Sequence, residues 1–167
     1  MNTKKMTAGE KFPMMAWNAV SGERLVPAEE SGWRVLIVYR GQHCPLCKTY
    51  LNTLNEMLED FRATNIAVSV VSADTKEKAE AEVAECGWTF PVGYDLSVEQ
   101  MRELGLYISD PRSPEETDRP FAEPGLFVIN PEGNDISNAP FARPDLKSLL
   151  KGLQFVMSKG YPIRGRA

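Results

Sequence analysis

The chain has 167 residues, of which 43% are hydrophobic and 25% charged, with a net charge of −4. That length and apolar content suit one compact domain over residues 1–167, with a real core. Scattered lysines and arginines, with neither a basic stripe nor an acidic tail, argue against nucleic-acid binding. The N-terminus lacks the apolar core of a signal peptide, and no run is long enough to span a membrane, so a soluble cytoplasmic protein is expected.

Residues 9–24, with Pro13 and Gly22 and a weak alternation, predict a loose N-terminal hairpin. Residues 34–39 are apolar on both faces, as in a central buried strand. From Pro45 the period changes. Leu46, Tyr50, Leu51, Leu54, Met57, Leu58 and Phe61 recur three and four apart, which makes an amphipathic helix. Proline suits its first turn, where the missing N–H breaks no bond. Residues 66–71 read as a second buried strand, and Asp74 with Glu77 as a capping pair that opens a helix through about residue 85.

Phe90-Pro91-Val92 is a short extended piece, with Trp88 and Phe90 assigned to the core, and residues 97–104 form a short helix. Residues 109–124 are rich in proline and acid, too polar and broken for a core element, and predict a surface loop lying over something. Residues 126–129 are a strand, residues 131–134 a turn, and residues 135–138 its partner strand. A helix over 146–157 carries Leu146, Leu149, Leu150, Leu153 and Val156 on one face, and residues 160–167 are expected to be extended and exposed. Strand–helix–strand–helix followed by a hairpin and a helix is an α/β pattern without repeats.

Chemistry concentrates where the first long strand meets its helix, at Arg40-Gly41-Gln42-His43-Cys44-Pro45-Leu46-Cys47. In a reducing compartment three cysteines do not form a structural disulfide framework; a C-x-x-C pair is kept for redox cycling or for metal. Cys44 falls at the helix N-cap, where free N–H groups and the positive end of the helix dipole favour a thiolate. Cys47 lies one turn further on the same face, in reach of Cys44. The expected division is therefore Cys44 as nucleophile and Cys47 as resolving thiol.

Metal is disfavoured. Cys44, Cys47, Cys86 and His43 nominally make four ligands, but a structural zinc site needs two paired hooks and here there is one. His43, the only histidine, is a candidate to raise thiolate reactivity or shuttle a proton. Arg40 is either a partner of a thiolate or peroxide oxygen, or a solvated charge at the strand end. Cys86, before Gly87, is either a packing residue at a helix end or an extra resolving thiol.

Taken together, these segments resemble the thioredoxin-fold redoxins, and specifically their peroxiredoxin-like branch (alkyl hydroperoxide reductase/thiol-specific antioxidant). Gly9 with Phe12-Pro13 resembles the family's opening motif, Phe90-Pro91-Val92 with Asp95 its central one, and Leu126 to Gly133 its hairpin. Where typical peroxiredoxins carry a proline and a threonine before the reactive cysteine, this chain has Ile37 and Gly41. Where they carry an active-site arginine, it has Pro124. A proline there resembles the cis-proline beside the C-x-x-C of thioredoxins, and Cys44-Pro45-Leu46-Cys47-Lys48 resembles thioredoxin and glutaredoxin sites. The buried acid of thioredoxins is replaced by Val38.

The resemblance implies a thioredoxin-like α/β fold, with a central mixed sheet, flanking helices and an N-terminal hairpin. It implies no cofactor, and a homodimer is compatible with it. The leading expectation is a thiol-dependent antioxidant enzyme that reduces peroxide at Cys44, resolves through Cys47 and is recycled by a thioredoxin- or glutaredoxin-type reductant. The alternatives are a protein disulfide oxidoreductase, favoured by C-P-L-C and Pro124, and a redox-sensing interaction module that uses the 109–124 loop as its switch.

Overall fold

The computed structural model describes residues 5–139, 143–159 and 162–164. In chain order it contains β1 (Trp17–Asn18), β2 (Arg24–Leu25), a short 3-10 turn (Pro27–Glu29), β3 (Trp33–Val38) and α1 (Pro45–Ala63). There follow β4 (Ile66–Val71), α2 (Lys76–Cys86), β5 (Val92–Gly93), α3 (Val98–Glu103), β6 (Ile108–Ser109) and β7 (Phe121–Ala122). The chain closes with β8 (Gly125–Ile129), β9 (Asp135–Ala139) and α4 (Leu146–Lys159). No described helix is long and apolar enough to cross a membrane.

Five strands form one mixed sheet in the order β5-β4-β3-β8-β9. β3 runs parallel to β4 and antiparallel to β8, and so lies in the centre. Its side chains alternate between two cores. Val35 and Ile37 face one with Leu51, Leu54, Leu58 and Phe61 of α1 and Leu146, Leu150 and Leu153 of α4. Leu36 and Val38 face the other with Phe12, Trp17, Met101, Leu104 and Phe127. A strand covered on both faces must be apolar at every position, which accounts for its unbroken run of hydrophobic residues. Trp88 and Phe90 stack on each other in the first core, as expected.

Arg34, at the start of β3, is the exception to that run. It is only 2% exposed, and its guanidinium donates to the carbonyls of Pro27, Gly32 and Asn130. One side chain thereby ties the 3-10 turn and the β8–β9 turn to the base of the central strand.

The structure narrows one sequence reading and corrects two. The N-terminal hairpin is present but confined to the pairing of Trp17 with Leu25 and Asn18 with Arg24. The N-cap of α2 is Thr75, whose hydroxyl accepts from the Lys78 N–H; Asp74 is turned away and accepts from the backbone N–H of Gln42. The 109–124 segment is anchored as a hairpin, because Ile108 and Ser109 pair with Ala122 and Phe121. Phe121 is its buried apolar anchor, a single aromatic among prolines and acids that pattern reading passes over. The α3 helix opens on a full capping box between Ser97 and Gln100. Of the tail expected over 160–167, residues 162–164 are exposed and the others lie outside the described residues.

Replacing Arg34 with Met leaves the buried Pro27 and Asn130 carbonyls without their donor, each costing on the order of 1 kcal/mol or more, while the exposed Gly32 carbonyl turns to water. Arg34→Met is expected to destabilise the fold by about 2 kcal/mol, read as a lower urea midpoint with unchanged m-value.

Candidate active site

β3 ends at Val38 and α1 begins at Pro45, so the intervening turn delivers its side chains to the C-terminal edge of the central strands. Gly41 makes that turn possible. Its φ of +134° is disfavoured for a side chain, and a Cβ there would stand 2.6 Å from Asp74 Oδ1. Asp74 in turn fixes the loop by accepting the Gln42 N–H at 2.8 Å.

Cys44 is the N-cap of α1, and its sulfur accepts the backbone N–H of Cys47 at 3.3 Å. The residue is 2% exposed, so protein donors rather than water stabilise its charge. The Cys47 thiol hydrogen-bonds the Cys44 sulfur, Cys47 N–H adds a second bond and the Arg40 guanidinium a third; together they lower the Cys44 pKa to about 6 against burial. The same hydrogen bond pushes Cys47 far above the usual thiol range, with burial acting in the same direction. Both cysteines are free thiols here. One sulfur is thus poised as an anion and the other as its proton-bearing neighbour.

Arg40 is more than a solvated strand-end charge. Its Nε lies 2.9 Å from Glu123 Oε2, and its guanidinium sits 4.8 Å from the centroid of the Phe121 ring. Burial lowers its pKa, but the pull of Glu123 and of Cys44 outweighs it and the net direction is up. Phe121 also meets the His43 ring edge-on at 4.6 Å. Burial first, and then Arg40, holds His43 below its usual pKa, so its ring is neutral at pH 7. The hairpin therefore covers the turn, with its buried Phe121 wedged against Arg40 and His43.

Pro124 lies beside the dithiol: it lines one small cavity with Cys47, Tyr39 and Tyr50. None of the described peptide bonds is cis, the one before Pro124 included. Cys86 ends α2 with Gly87 as its left-handed C-cap, and burial raises its thiol pKa. It packs on the outside of the first core. Among the described residues no group of three His, Cys, Asp or Glu side chains is placed to hold a metal. A cavity of about 660 Å³ between Trp33, the β8–β9 turn and α4 has no cysteine in its lining.

Sequence reasoning missed Glu123, Phe121, Asp74 and a further acid, Glu82. Glu82 is 1% exposed, neither of its oxygens accepts a hydrogen bond among the described residues, and its nearest cation is Lys48 Nζ at 4.0 Å. A signal existed: with Ala79 it occupies the buried face of α2, where the helical period calls for an apolar residue.

The AhpC/TSA family profile matches residues 8–134. No curated protein matches the chain in sequence. Among solved structures, a peroxiredoxin-like protein from Aquifex aeolicus superposes with a TM-score of 0.76 at 16% identity, covering 92% of this chain and 89% of that one. AhpC of Enterococcus faecalis gives 0.74 at 19% identity, covering 98% and 99%. A cysteine-to-serine mutant of peroxiredoxin 6 from Arenicola marina gives 0.74 at 20%, covering 92% and 74%.

Alkylation by iodoacetamide reads the Cys44 thiolate directly. The rate is expected to fall as the thiolate protonates, with its midpoint near pH 6. Arg40→Met removes a donor and a positive charge, and should move that midpoint upward by about one pH unit.

Proposed function

Because this chain belongs to the AhpC/TSA family, we propose that it is a thiol-dependent antioxidant peroxidase of peroxiredoxin-like type, with Cys44 as nucleophile and Cys47 as resolving thiol. The observation that carries this reading is the Cys44 sulfur, held as an anion by Cys47 and Arg40 at the start of α1. The thiolate attacks one peroxide oxygen, the O–O bond breaks, and the other oxygen leaves as water or alcohol after taking a proton. Cys44 is left as a sulfenic acid. Arg40, anchored by Glu123, is suited to stabilise charge on the departing oxygen.

Cys47 then attacks the Cys44 sulfur. A Cys44–Cys47 disulfide forms and water departs. Two electrons from an external dithiol of thioredoxin or glutaredoxin type restore both thiols, in keeping with action in a reducing, cytoplasmic compartment. Cys86 is not needed for this cycle, and His43 serves as a neutral wall of the site rather than as its base.

Two observations favour dithiol–disulfide exchange with proteins as a second reading. Leu46, between the two cysteines, is 64% exposed and offers an apolar contact. Pro124 stands next to Cys47, where a partner backbone would dock. The same two features also serve the reductant of the peroxidase cycle.

Dimedone, which captures sulfenic acids, separates the steps. Reduced Cys47→Ser protein treated with hydrogen peroxide is expected to yield a dimedone adduct at Cys44, while wild type yields the Cys44–Cys47 disulfide and Cys44→Ser yields neither. Mass spectrometry showing no adduct at Cys44 in Cys47→Ser would sink the peroxidase reading.

A further inference from the structure

The cavity beside Trp33 lies at the opposite end of the central strand from the cysteines. Its volume of about 660 Å³ falls in the range of about 300–1,000 Å³ typical of sites that hold small molecules. Helical period accounts for the wall on the α4 side. Leu146, Leu150 and Leu153 pack into the first core. The neighbouring stripe of Leu149, Gly152 and Val156, three and four residues apart, runs along the cavity. Gly152 stands in the middle of that stripe. Glycine is a disfavoured choice inside a helix, and here a Cβ would meet no atom within 4 Å. The glycine leaves room that a larger side chain would occupy.

The sheet supplies the other wall. Trp33, Val128 and Ile136 border the cavity from β3, β8 and β9. Trp33, Ile136 and Leu149 are only partly buried at the edge of the first core, and each lends apolar surface to the cavity. The β8–β9 register shifts between Val128 and Ile129, an irregularity of the kind that bends a strand.

Polar groups at the rim are mostly donors. The side-chain oxygen of Asn130 accepts the N–H groups of Glu132 and Asn134, which leaves its NH2 group to donate. Ser148 adds a hydroxyl and Arg164 a guanidinium. Among the described residues Glu132 is the one carboxylate in the lining, and Lys11 donates to its backbone carbonyl. Two cations therefore stand at this rim against one acid.

We propose that this cavity is a binding site for a medium-chain carboxylic acid, with the alkyl chain along the Leu149–Gly152–Val156 stripe and the carboxylate at the rim beside Arg164. Apolar walls disfavour a sugar or a nucleotide, whose hydroxyls would be left unpaired. The excess of donors and of positive charge selects an acid over an amine or an alcohol. The site is separate from the dithiol, because no cysteine lines it and Trp33 opens β3 whereas Cys44 follows the other end of that strand.

Calorimetric titration of the reduced wild-type protein with hexanoate, octanoate and decanoate reads the site directly. One acid is expected per chain, and each added pair of methylenes should tighten binding about tenfold as more of the chain is buried. Octanol, with the same chain length and no charge, should bind about tenfold more weakly than octanoate. Gly152→Leu places a side chain in the open space and favours the helix, so it folds; its affinity for octanoate should fall about tenfold or more. Arg164→Gln should bring octanoate down to the affinity of octanol and leave octanol unchanged. Absence of binding, octanol bound as tightly as octanoate, octanoate binding that survives Gly152→Leu, or an octanoate affinity unmoved in Arg164→Gln overturns the proposal. So does a wild type that sediments as a dimer and becomes a monomer in Gly152→Leu, which would give the cavity to a second copy of the chain instead.

Discussion

A charged sulfur in a place with almost no water is the constraint around which this molecule is arranged. Cys44 can be a thiolate only because the first turn of α1 offers an N–H, because Cys47 offers a thiol proton, and because Arg40 brings a positive charge. Each donor has its own support. The N–H is free because it belongs to the first turn of a helix, where no carbonyl precedes it. The guanidinium is steered by Glu123 and by the Phe121 ring. The thiol is held because Cys47 lies in the core, one turn along the same helix.

Those supports explain the fold elements that have no other evident purpose. A central strand buried on both faces gives the turn after it a rigid base, and Arg34 pins the opposite end of that strand. The hairpin of β6 and β7 is short and rich in proline, yet it brings Phe121 and Glu123 to the turn that carries the cysteines. Gly41 lets the backbone pass close to Asp74, and Asp74 holds it there by accepting the Gln42 N–H. Stability and reactivity are coupled here through shared side chains.

Much of this was legible in the sequence because its causes are local. The strand at 34–39, the helix from Pro45 and the N-cap position of Cys44 follow from hydrophobic period and helix-end chemistry, and the structure contains all three. What escaped notice depends on distant residues. Glu123 matters through Arg40, and Phe121 through Arg40 and His43, pairs separated by about eighty residues of chain that no spacing rule joins. Asp74 looked like a helix cap because local chemistry permits it; the long-range bond to Gln42 won, and Thr75 took the cap. Glu82 left a trace, a charge on the buried face of α2 where the helical period calls for an apolar residue.

The central claim is that this thiolate is built for peroxide, with the neighbouring thiol closing the cycle. Its most direct measurement sets two rates side by side for the reduced wild-type protein at pH 7: oxidation of Cys44 by hydrogen peroxide, and exchange of Cys44 with the disulfides of insulin. The account predicts that peroxide oxidises Cys44 faster than it oxidises free cysteine, and faster than Cys44 exchanges with insulin at equal concentration. Oxidation no faster than that of free cysteine, alongside rapid exchange with insulin, would contradict it.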